Sequence, residues 1–170
     1  MAKGEIEATR VQPGLYIGSA PPIGRAVKDA RFDMLVLCAK EYQFPFFERV
    51  EVVYAPNDDT CKRFPTKQEF RIAYNASERV AQAYADGRRV LITCMQGRNR
   101  SGLVMALALR RIFGMSGTEA RKLVQRKRER ALANPFFARS LDTLPELPFW
   151  RRVHPRVAHI ASQPPAGVGA

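Results

Sequence analysis

Cys94 and Arg100 are the residues whose types and spacing most clearly suggest chemistry. Cys94 follows four apolar or hydroxyl residues, 90–93, and five residues separate it from Arg100. A Ser-Gly pair and an uninterrupted apolar stretch come next. The pattern predicts a buried strand that ends at the cysteine, a short loop, and a helix that begins just after the arginine.

Such a loop directs its backbone N–H groups towards one centre, because Gly97 permits backbone conformations that other residues resist. The helix N-terminus adds its dipole, so the loop is expected to bind an anion through Met95, Gln96, Gly97, Arg98 and Asn99. The same field favours the thiolate form of Cys94. Arg100 could donate two hydrogen bonds to a phosphate or sulfate, and Ser101 could donate one to the leaving sulfur. These residues predict phosphoryl transfer through a cysteinyl phosphate.

The departing oxygen of a phosphate ester also needs a proton, and a positioned general acid accelerates such steps roughly 10²–10⁴-fold. Asp58 and Asp59 lie in the polar loop 56–65. Either carboxyl group could protonate the leaving oxygen and then accept a proton from the attacking water. Turn formation or helix capping is the alternative role for such a pair, and the residues alone leave both roles open.

Apolar runs and helical periodicities alternate along the chain. Predicted strands lie at 11–18, 34–39, 50–55 and 89–93, and predicted helices at 22–30, 66–86, 101–113, 118–133 and 136–144. Thr66 and Thr118 are the expected N-caps of two of these helices. Crossover connections between the strands predict an α/β fold, a single domain with a central, mostly parallel or mixed sheet flanked by helices.

The net charge of +12, with 21 arginines and 7 lysines, favours phosphorylated or polyanionic partners. Arginine-rich coding is an equal alternative. The longest apolar run, 102–109, is too short to span a bilayer, and the first residues lack an apolar signal core, so a cytoplasmic protein is expected. The three cysteines form no Cys-x-x-Cys pair. They are expected to be thiols, without a bound metal.

The motif CMQGRNRSG resembles the Cys-x5-Arg-Ser/Thr signature of cysteine-dependent protein tyrosine phosphatases. The surrounding chain is similar to their small dual-specificity branch over about residues 8–144, in the segments RVQPGLYIGS, MLVLCAKE, VYAPNDDT and RKLVQRKRERALANPFFARSL. The resemblance implies a mixed sheet and phosphomonoester hydrolysis without metal or cofactor. It implies Cys94 as nucleophile, Arg100 as the phosphate-binding arginine and Asp58 as general acid, with Asp59 as second choice. Arg128 matches a position that contacts a second substrate anion.

On this basis residues 1–150 form a dual-specificity phosphatase-like catalytic domain, and 151–170 form a basic, proline- and glycine-containing tail that is partly disordered. The family usually has histidine where this chain has Thr93. Arg98 resembles a cation of inositol-lipid phosphatases, and Asn99 is similar to the residue found in RNA 5′-phosphatases.

The expected substrate is phosphotyrosine in a protein, with phosphoserine or phosphothreonine as further targets. The alternatives are the same chemistry on RNA 5′-phosphates or inositol phosphates, and a non-catalytic phosphate-binding module. Nothing in the residues indicates an oligomeric state.

Overall fold

A mixed sheet places the cysteine at the carboxyl end of a central strand. The computed structural model describes residues 7–20, 32–41 and 50–146. Their strands are β1 (Thr9–Gln12), β2 (Leu15–Ser19), β3 (Met34–Ala39), β4 (Glu51–Asn57) and β5 (Val90–Cys94), paired in the order β1-β2-β5-β3-β4. Strand β1 is antiparallel to β2, and the other pairs are parallel. The predicted α/β fold with a mixed sheet is confirmed.

The two central strands have the composition of strands that are covered on both faces. Every residue of β3 and β5 is buried, in agreement with their continuous apolar sequences. The apolar run 50–55 predicts a third strand covered on both faces, and this prediction is wrong for β4. Within the described residues, β4 pairs with β3 alone at one side of the sheet, the side chain of its Tyr54 is 46% exposed, and the strand extends to Asn57.

The N-terminal region forms a hairpin where the sequence pattern predicts one strand. Thr9 pairs with Ile17, and Arg10 with Tyr16. Gly14 makes the turn with a φ of 80°, a conformation that glycine adopts without strain. The predicted helix at 22–30 and the tail at 151–170 lie outside the described residues.

Four helices cover the sheet in the described part of the chain: α1 (Lys67–Ala85), α2 (Arg100–Phe113), α3 (Gly117–Lys127) and α4 (Pro135–Asp142). Thr66 caps α1 as predicted, and Glu69 completes a capping box with it. Helix α2 is buried along nearly its whole length, because it packs against β5, α1 and α3. None of the helices in these ranges is both long and apolar enough to cross a membrane.

Helix α3 begins and ends earlier than its sequence pattern predicts. Ser116, and not Thr118, is the N-cap, because its hydroxyl and the carboxylate of Glu119 form a capping box. The helix ends at Lys127, and not near Ala133. Two positive φ angles follow, at Arg130 and Leu132, and the N–H of Leu132 donates to the carbonyl of Arg98 at 3.2 Å. The chain therefore leaves the helix to pack against the loop that follows Cys94.

Candidate active site

Cys94 is the last residue of β5, and residues 95–99, which we call the cysteine loop, connect it to α2. Its side chain is buried, and its Sγ lies 3.2 Å from the Oγ of Ser101. Gly97 has a φ of 62°, and a Cβ added there would lie 2.3 Å from the carbonyl carbon of Gly18. Both the conformation and the contact with β2 therefore require glycine at this position.

Arg100 lies at the start of α2 and is only 5% exposed. Its Nη1 and Nη2 atoms each donate to a carboxylate oxygen of Glu41 at 2.6 Å, and Nη1 also donates to the carbonyl of Asn57 at 3.1 Å. The hydrogen bond from Arg100 holds the pKa of Glu41 below its usual value. The buried Nε of Arg100 has no partner among the described residues. A buried N–H group without a partner is costly, and an oxyanion at the site would satisfy it.

Residues 58–65, which we call the acid loop, continue from β4 at the same sheet edge. The two aspartates at its start have different surroundings. Asp58 is 47% exposed and lies 4.0 Å from the Nζ of Lys40 and 3.9 Å from a guanidinium nitrogen of Arg63. Asp59 accepts hydrogen bonds from the side-chain amides of Asn99 at 3.0 Å and Asn134 at 2.9 Å. The acid loop is thus bonded to the cysteine loop through Asp59, and the carboxylate of Asp58 is held less tightly.

Arg128 lies against the cysteine loop, and its contact with a substrate anion stays a prediction. Its Nε donates to the carbonyl of Gly97 at 3.1 Å, and its Nη2 donates to the carbonyl of Gln96 at 2.9 Å. The remaining donors contact Glu7 and Thr9. The hydrogen bond from Arg128 lowers the pKa of Glu7 to about 2. In this arrangement the guanidinium holds the backbone of the cysteine loop.

The remaining predicted residues line the loop without forming a charged cluster around Cys94. Met95 and Gln96 are exposed, and Arg98 donates to the side-chain oxygen of Gln96 at 3.2 Å. Thr93, which replaces the family's histidine, is buried. Its hydroxyl donates to the carbonyl of Val36 in β3 at 3.1 Å, so this proton is directed to the sheet backbone.

A second thiol lies beside the cysteine. Leu37 of β3 pairs with Thr93 of β5, so the next residues along these parallel strands, Cys38 and Cys94, are neighbours. Burial raises the pKa of the Cys38 thiol, and the charge of Cys94 raises it further. Cys61, in the acid loop, is exposed.

Sequence reasoning missed three polar residues of the site. Glu41 lies two residues after the end of β3, and a carboxylate at the carboxyl end of a central strand is a signal that could have been used. The sequence pattern indicates Asn134 only as part of a helix break, although an asparagine before a proline is a common helix start. It caps α4 by accepting from the N–H of Phe136. Glu7 carried no usable signal, because its partner Arg128 lies 121 positions away.

Comparison with known proteins gives consistent results. No protein-family model matches the sequence. The dual specificity protein phosphatase 1B of Arabidopsis thaliana is 25% identical over 149 residues, which cover 84% of each chain. The crystal structure of human DUSP28 superposes with a TM-score of 0.67 and 25% identity, over 79% of this chain and 89% of that one. A mouse dual specificity phosphatase complexed with zinc tungstate also gives a TM-score of 0.67, with 22% identity over 84% of this chain and 90% of that one.

Proposed function

We infer that this chain, a member of the small dual-specificity branch of the protein tyrosine phosphatase superfamily, hydrolyses phosphate monoesters on proteins through a cysteinyl phosphate. The observation that carries the proposal is the pairing of Cys94, at the end of β5, with a buried arginine whose Nε–H is unpartnered among the described residues. A tetrahedral dianion would satisfy that N–H and the main-chain N–H groups of the cysteine loop. Phosphotyrosine is the expected substrate, with phosphoserine and phosphothreonine as further ones.

In the first step, the Cys94 thiolate attacks phosphorus. The S–P bond forms, the bond from phosphorus to the ester oxygen breaks, and that oxygen takes a proton from Asp58. Arg100 stabilises the charge on the equatorial oxygens. Met95, Gln96, Gly97, Arg98 and Asn99 contribute main-chain N–H groups from the cysteine loop.

In the second step, the Asp58 carboxylate accepts a proton from water, whose oxygen bonds to phosphorus as the S–P bond breaks. Ser101 supports this step, because its hydroxyl lies 3.2 Å from the sulfur and can donate to the departing thiolate. Asp58 is a better candidate than Asp59 for this proton transfer. Both oxygens of Asp59 already accept amide hydrogen bonds, and Asp58 makes only ionic contacts near 4.0 Å within the described residues.

A second candidate function is the same chemistry on a more highly charged substrate, an RNA 5′-phosphate or an inositol phosphate. The cations beside Asp58, Lys40 and Arg63, support it, because they are 67% and 44% exposed. Arg63 also donates to both carboxylate oxygens of Glu69. Arg98 adds a third cation, in the cysteine loop, where it donates to the side-chain oxygen of Gln96. For either substrate class we propose a cytoplasmic enzyme that needs no metal or cofactor.

Hydrolysis of p-nitrophenyl phosphate in the presence of EDTA tests the proposed chemistry. Wild-type protein is expected to turn over, and Cys94→Ser and Arg100→Lys are expected to lose at least roughly 10³-fold in kcat/KM, because the nucleophile or the bidentate contact is removed. Full activity of Cys94→Ser, or a requirement for metal, would contradict the cysteine mechanism. Tight phosphopeptide binding without turnover would identify a non-catalytic binding module.

The substrate class is decided by comparing kcat/KM for a phosphotyrosine peptide, a 5′-triphosphorylated RNA and an inositol phospholipid. We expect the phosphopeptide to be the best of the three. Preference for either of the others would favour the second candidate. The double substitution Lys40→Gln and Arg63→Gln should then reduce that preference, because it removes two positive charges. Cys94 and Arg100 are unchanged, so the chemistry itself is kept.

A further inference from the structure

We propose that Asp59, Asn99 and Asn134, which we call the Asp59 network, position the general acid, and that Asn134 is the positioning residue on which the network depends. The inference rests on the proposed function, because it assigns a role to residues around Asp58. It assigns Asp59 to holding the acid loop and leaves proton transfer to its neighbour.

The network joins three separate parts of the chain. One carboxylate oxygen of Asp59 accepts from the amide of Asn99 in the cysteine loop, and the other accepts from the amide of Asn134 before α4. The main-chain N–H of Asn134 in turn donates to the side-chain oxygen of Asn99 at 3.1 Å. The three residues therefore form a closed ring of hydrogen bonds between the acid loop, the cysteine loop and α4.

Asn134 has no freedom to adopt another orientation. It is 1% exposed, and its side-chain oxygen accepts the N–H groups of Phe136 and Phe137 at 3.0 and 3.4 Å. Its side-chain nitrogen donates to Asp59 and to the carbonyl of Thr60 at 3.1 Å. Because the helix takes the oxygen, the NH₂ group must face the acid loop. The start of α4 thus fixes the direction of the donor that Asp59 requires.

The Asp59 network also fixes the backbone of Asp58, because Asp58 is the adjacent residue in the chain. Its own carboxylate is half exposed and makes contacts only at the outer limit of ion pairing within the described residues, so no short hydrogen bond holds it in place there. A general acid contributes only when its proton lies within hydrogen-bond reach of the leaving oxygen. The Asp59 network therefore supplies the fixed backbone, and Asp58 supplies the mobile proton donor.

Asn134→Asp separates this role from helix capping. Aspartate is as good an N-cap as asparagine, so α4 keeps its start. The NH₂ donor becomes a carboxylate oxygen that faces the carboxylate of Asp59, and the two repel. Adding Asp59→Asn to the same chain restores complementarity, because the amide introduced in the acid loop can then donate to the carboxylate introduced before α4. The double variant exchanges the two side chains and keeps the net charge.

The readout is the dependence of kcat/KM on the leaving group, because kcat/KM reports the step that releases the ester oxygen, and hydrolysis of the cysteinyl phosphate is common to all substrates. Aryl phosphates that release a very acidic phenol need little protonation, and phenyl phosphate needs much. For Asn134→Asp we expect kcat/KM on phenyl phosphate to fall roughly 10–100-fold, within the range of general-acid catalysis, and kcat/KM on 2,4-dinitrophenyl phosphate to fall less than about 3-fold. The inhibition constant of inorganic phosphate should stay within about 2-fold, because the cysteine loop is intact. On phenyl phosphate, the double variant should have a kcat/KM at least about 10-fold higher than that of Asn134→Asp alone.

Asn75→Asp is the matched control, because it makes the same change at an exposed position of α1. Asn134→Ser provides a second variant if the aspartate variant is unstable, since serine caps α4 but is too short to reach Asp59. It should show the same selective loss on phenyl phosphate.

Equal losses on both substrates, or no recovery in the double variant, would overturn the proposal. A second contrary outcome is that Asp59→Asn alone lowers kcat/KM on phenyl phosphate as much as Asp58→Ala does, and that the double variant does not recover. This result would identify Asp59 as the general acid and would also overturn the proposal. These outcomes are distinguishable from failure of the proposed function, in which wild-type protein hydrolyses neither aryl phosphate.

Discussion

Arg100 presents two different sides within one buried guanidinium group. Its terminal nitrogens are occupied by Glu41, and its Nε has no described partner. The carboxylate thus fixes the plane of the guanidinium and leaves one edge for the substrate. A bidentate contact of this kind needs two acceptor oxygens on one side chain, which glutamate has and glutamine lacks.

We therefore expect Glu41→Gln to lower kcat/KM on an aryl phosphate by roughly tenfold, which corresponds to about 1.4 kcal/mol of transition-state stabilisation. The inhibition constant of inorganic phosphate should rise with it, since the same arginine binds the product. Glu78→Gln is the control, because Glu78 also pairs with an arginine, Arg111, but on helices away from the cysteine. Equal kinetics in the Glu41 variant and wild type would show that Arg100 needs no carboxylate partner.

Gly97 and Gly87 allow the effects of conformation and contact to be separated. Their φ angles are 62° and 75°, but an added Cβ would lie 2.3 Å from the Gly18 carbonyl carbon at Gly97 and within 4 Å of nothing at Gly87. Gly87→Ala should cost about 1 kcal/mol in free energy of unfolding, through strain alone. Gly97→Ala should also abolish phosphatase activity, because the cysteine loop must move away from β2. Urea unfolding and kinetics of both variants test this, and an active Gly97 variant would contradict it.

At the level of elements, the sequence predicts the strands and helices whose bounds are set by residues close to them in the chain. The strand that ends at Cys94, the loop and α2 were all predicted, because buried runs and capping residues are local signals. Ser116 and Thr118 are both acceptable caps, but only Ser116 has a glutamate three residues later, so the capping-box pattern was a usable local signal that the prediction overlooked. The exposed side of β4 could not be predicted, because strand order depends on the whole fold.

The same distinction explains which site residues were found. Cys94, Arg100 and Ser101 lie within one motif. Asn134 and Asp59 are 75 positions apart, and their hydrogen bond exists only after the helices have packed. Spacing along the chain carries no information about such pairs in a single sequence. The structure is therefore needed to distinguish the surroundings of Asp59 from those of Asp58.

The register of β3 and β5 predicts the outcome of oxidation. Neighbouring strands lie about 4.8 Å apart, within the Cα separation of about 4.4–6.8 Å that a disulfide requires. Hydrogen peroxide should convert the Cys94 thiolate to a sulfenic acid, and attack by the sulfur of Cys38 should release hydroxide and form the Cys38–Cys94 disulfide. The raised pKa of Cys38 makes the second step slow.

Mass spectrometry of unreduced peptides after peroxide treatment tests this expectation. The disulfide should form in Cys61→Ser, since that thiol is exposed on the acid loop and takes no part. In Cys38→Ala, oxidation of Cys94 should continue to the sulfinic acid, and activity should not return on reduction. A Cys61–Cys94 disulfide in the wild type would show that the acid loop, and not the strand register, supplies the second thiol.

At the scale of the molecule, the ion pair of Glu7 and Arg128 links stability to pH. Its hydrogen bond lowers the pKa of Glu7 from its ordinary 4.5 to about 2. The folded state thus keeps this carboxylate ionised at a pH where the unfolded chain binds a proton. The pair contributes its full stabilisation above about pH 4.5, and the contribution is lost as the pH falls towards 2.

Glu7→Gln should remove this contribution. The difference in free energy of unfolding between wild type and variant should be constant from pH 7 to about pH 5 and should shrink at lower pH, measured by urea unfolding. Glu129→Gln serves as control for the loss of one negative charge, because that carboxylate is 91% exposed. A Glu7 difference that grows as the pH falls would refute the role of the ion pair.

The residues that hold the cysteine loop come from distant parts of the chain: Glu7 and Arg128 support its backbone, and Asn134 joins it to the acid loop. During synthesis on a ribosome, the whole Cys-x5-Arg motif is translated before Arg128 and Asn134. A nascent chain that ends between residues 101 and 127 therefore contains the nucleophile without the groups that shape its surroundings. Hydrolytic activity should arise late in translation, and truncated products should be inactive even though they contain the complete motif.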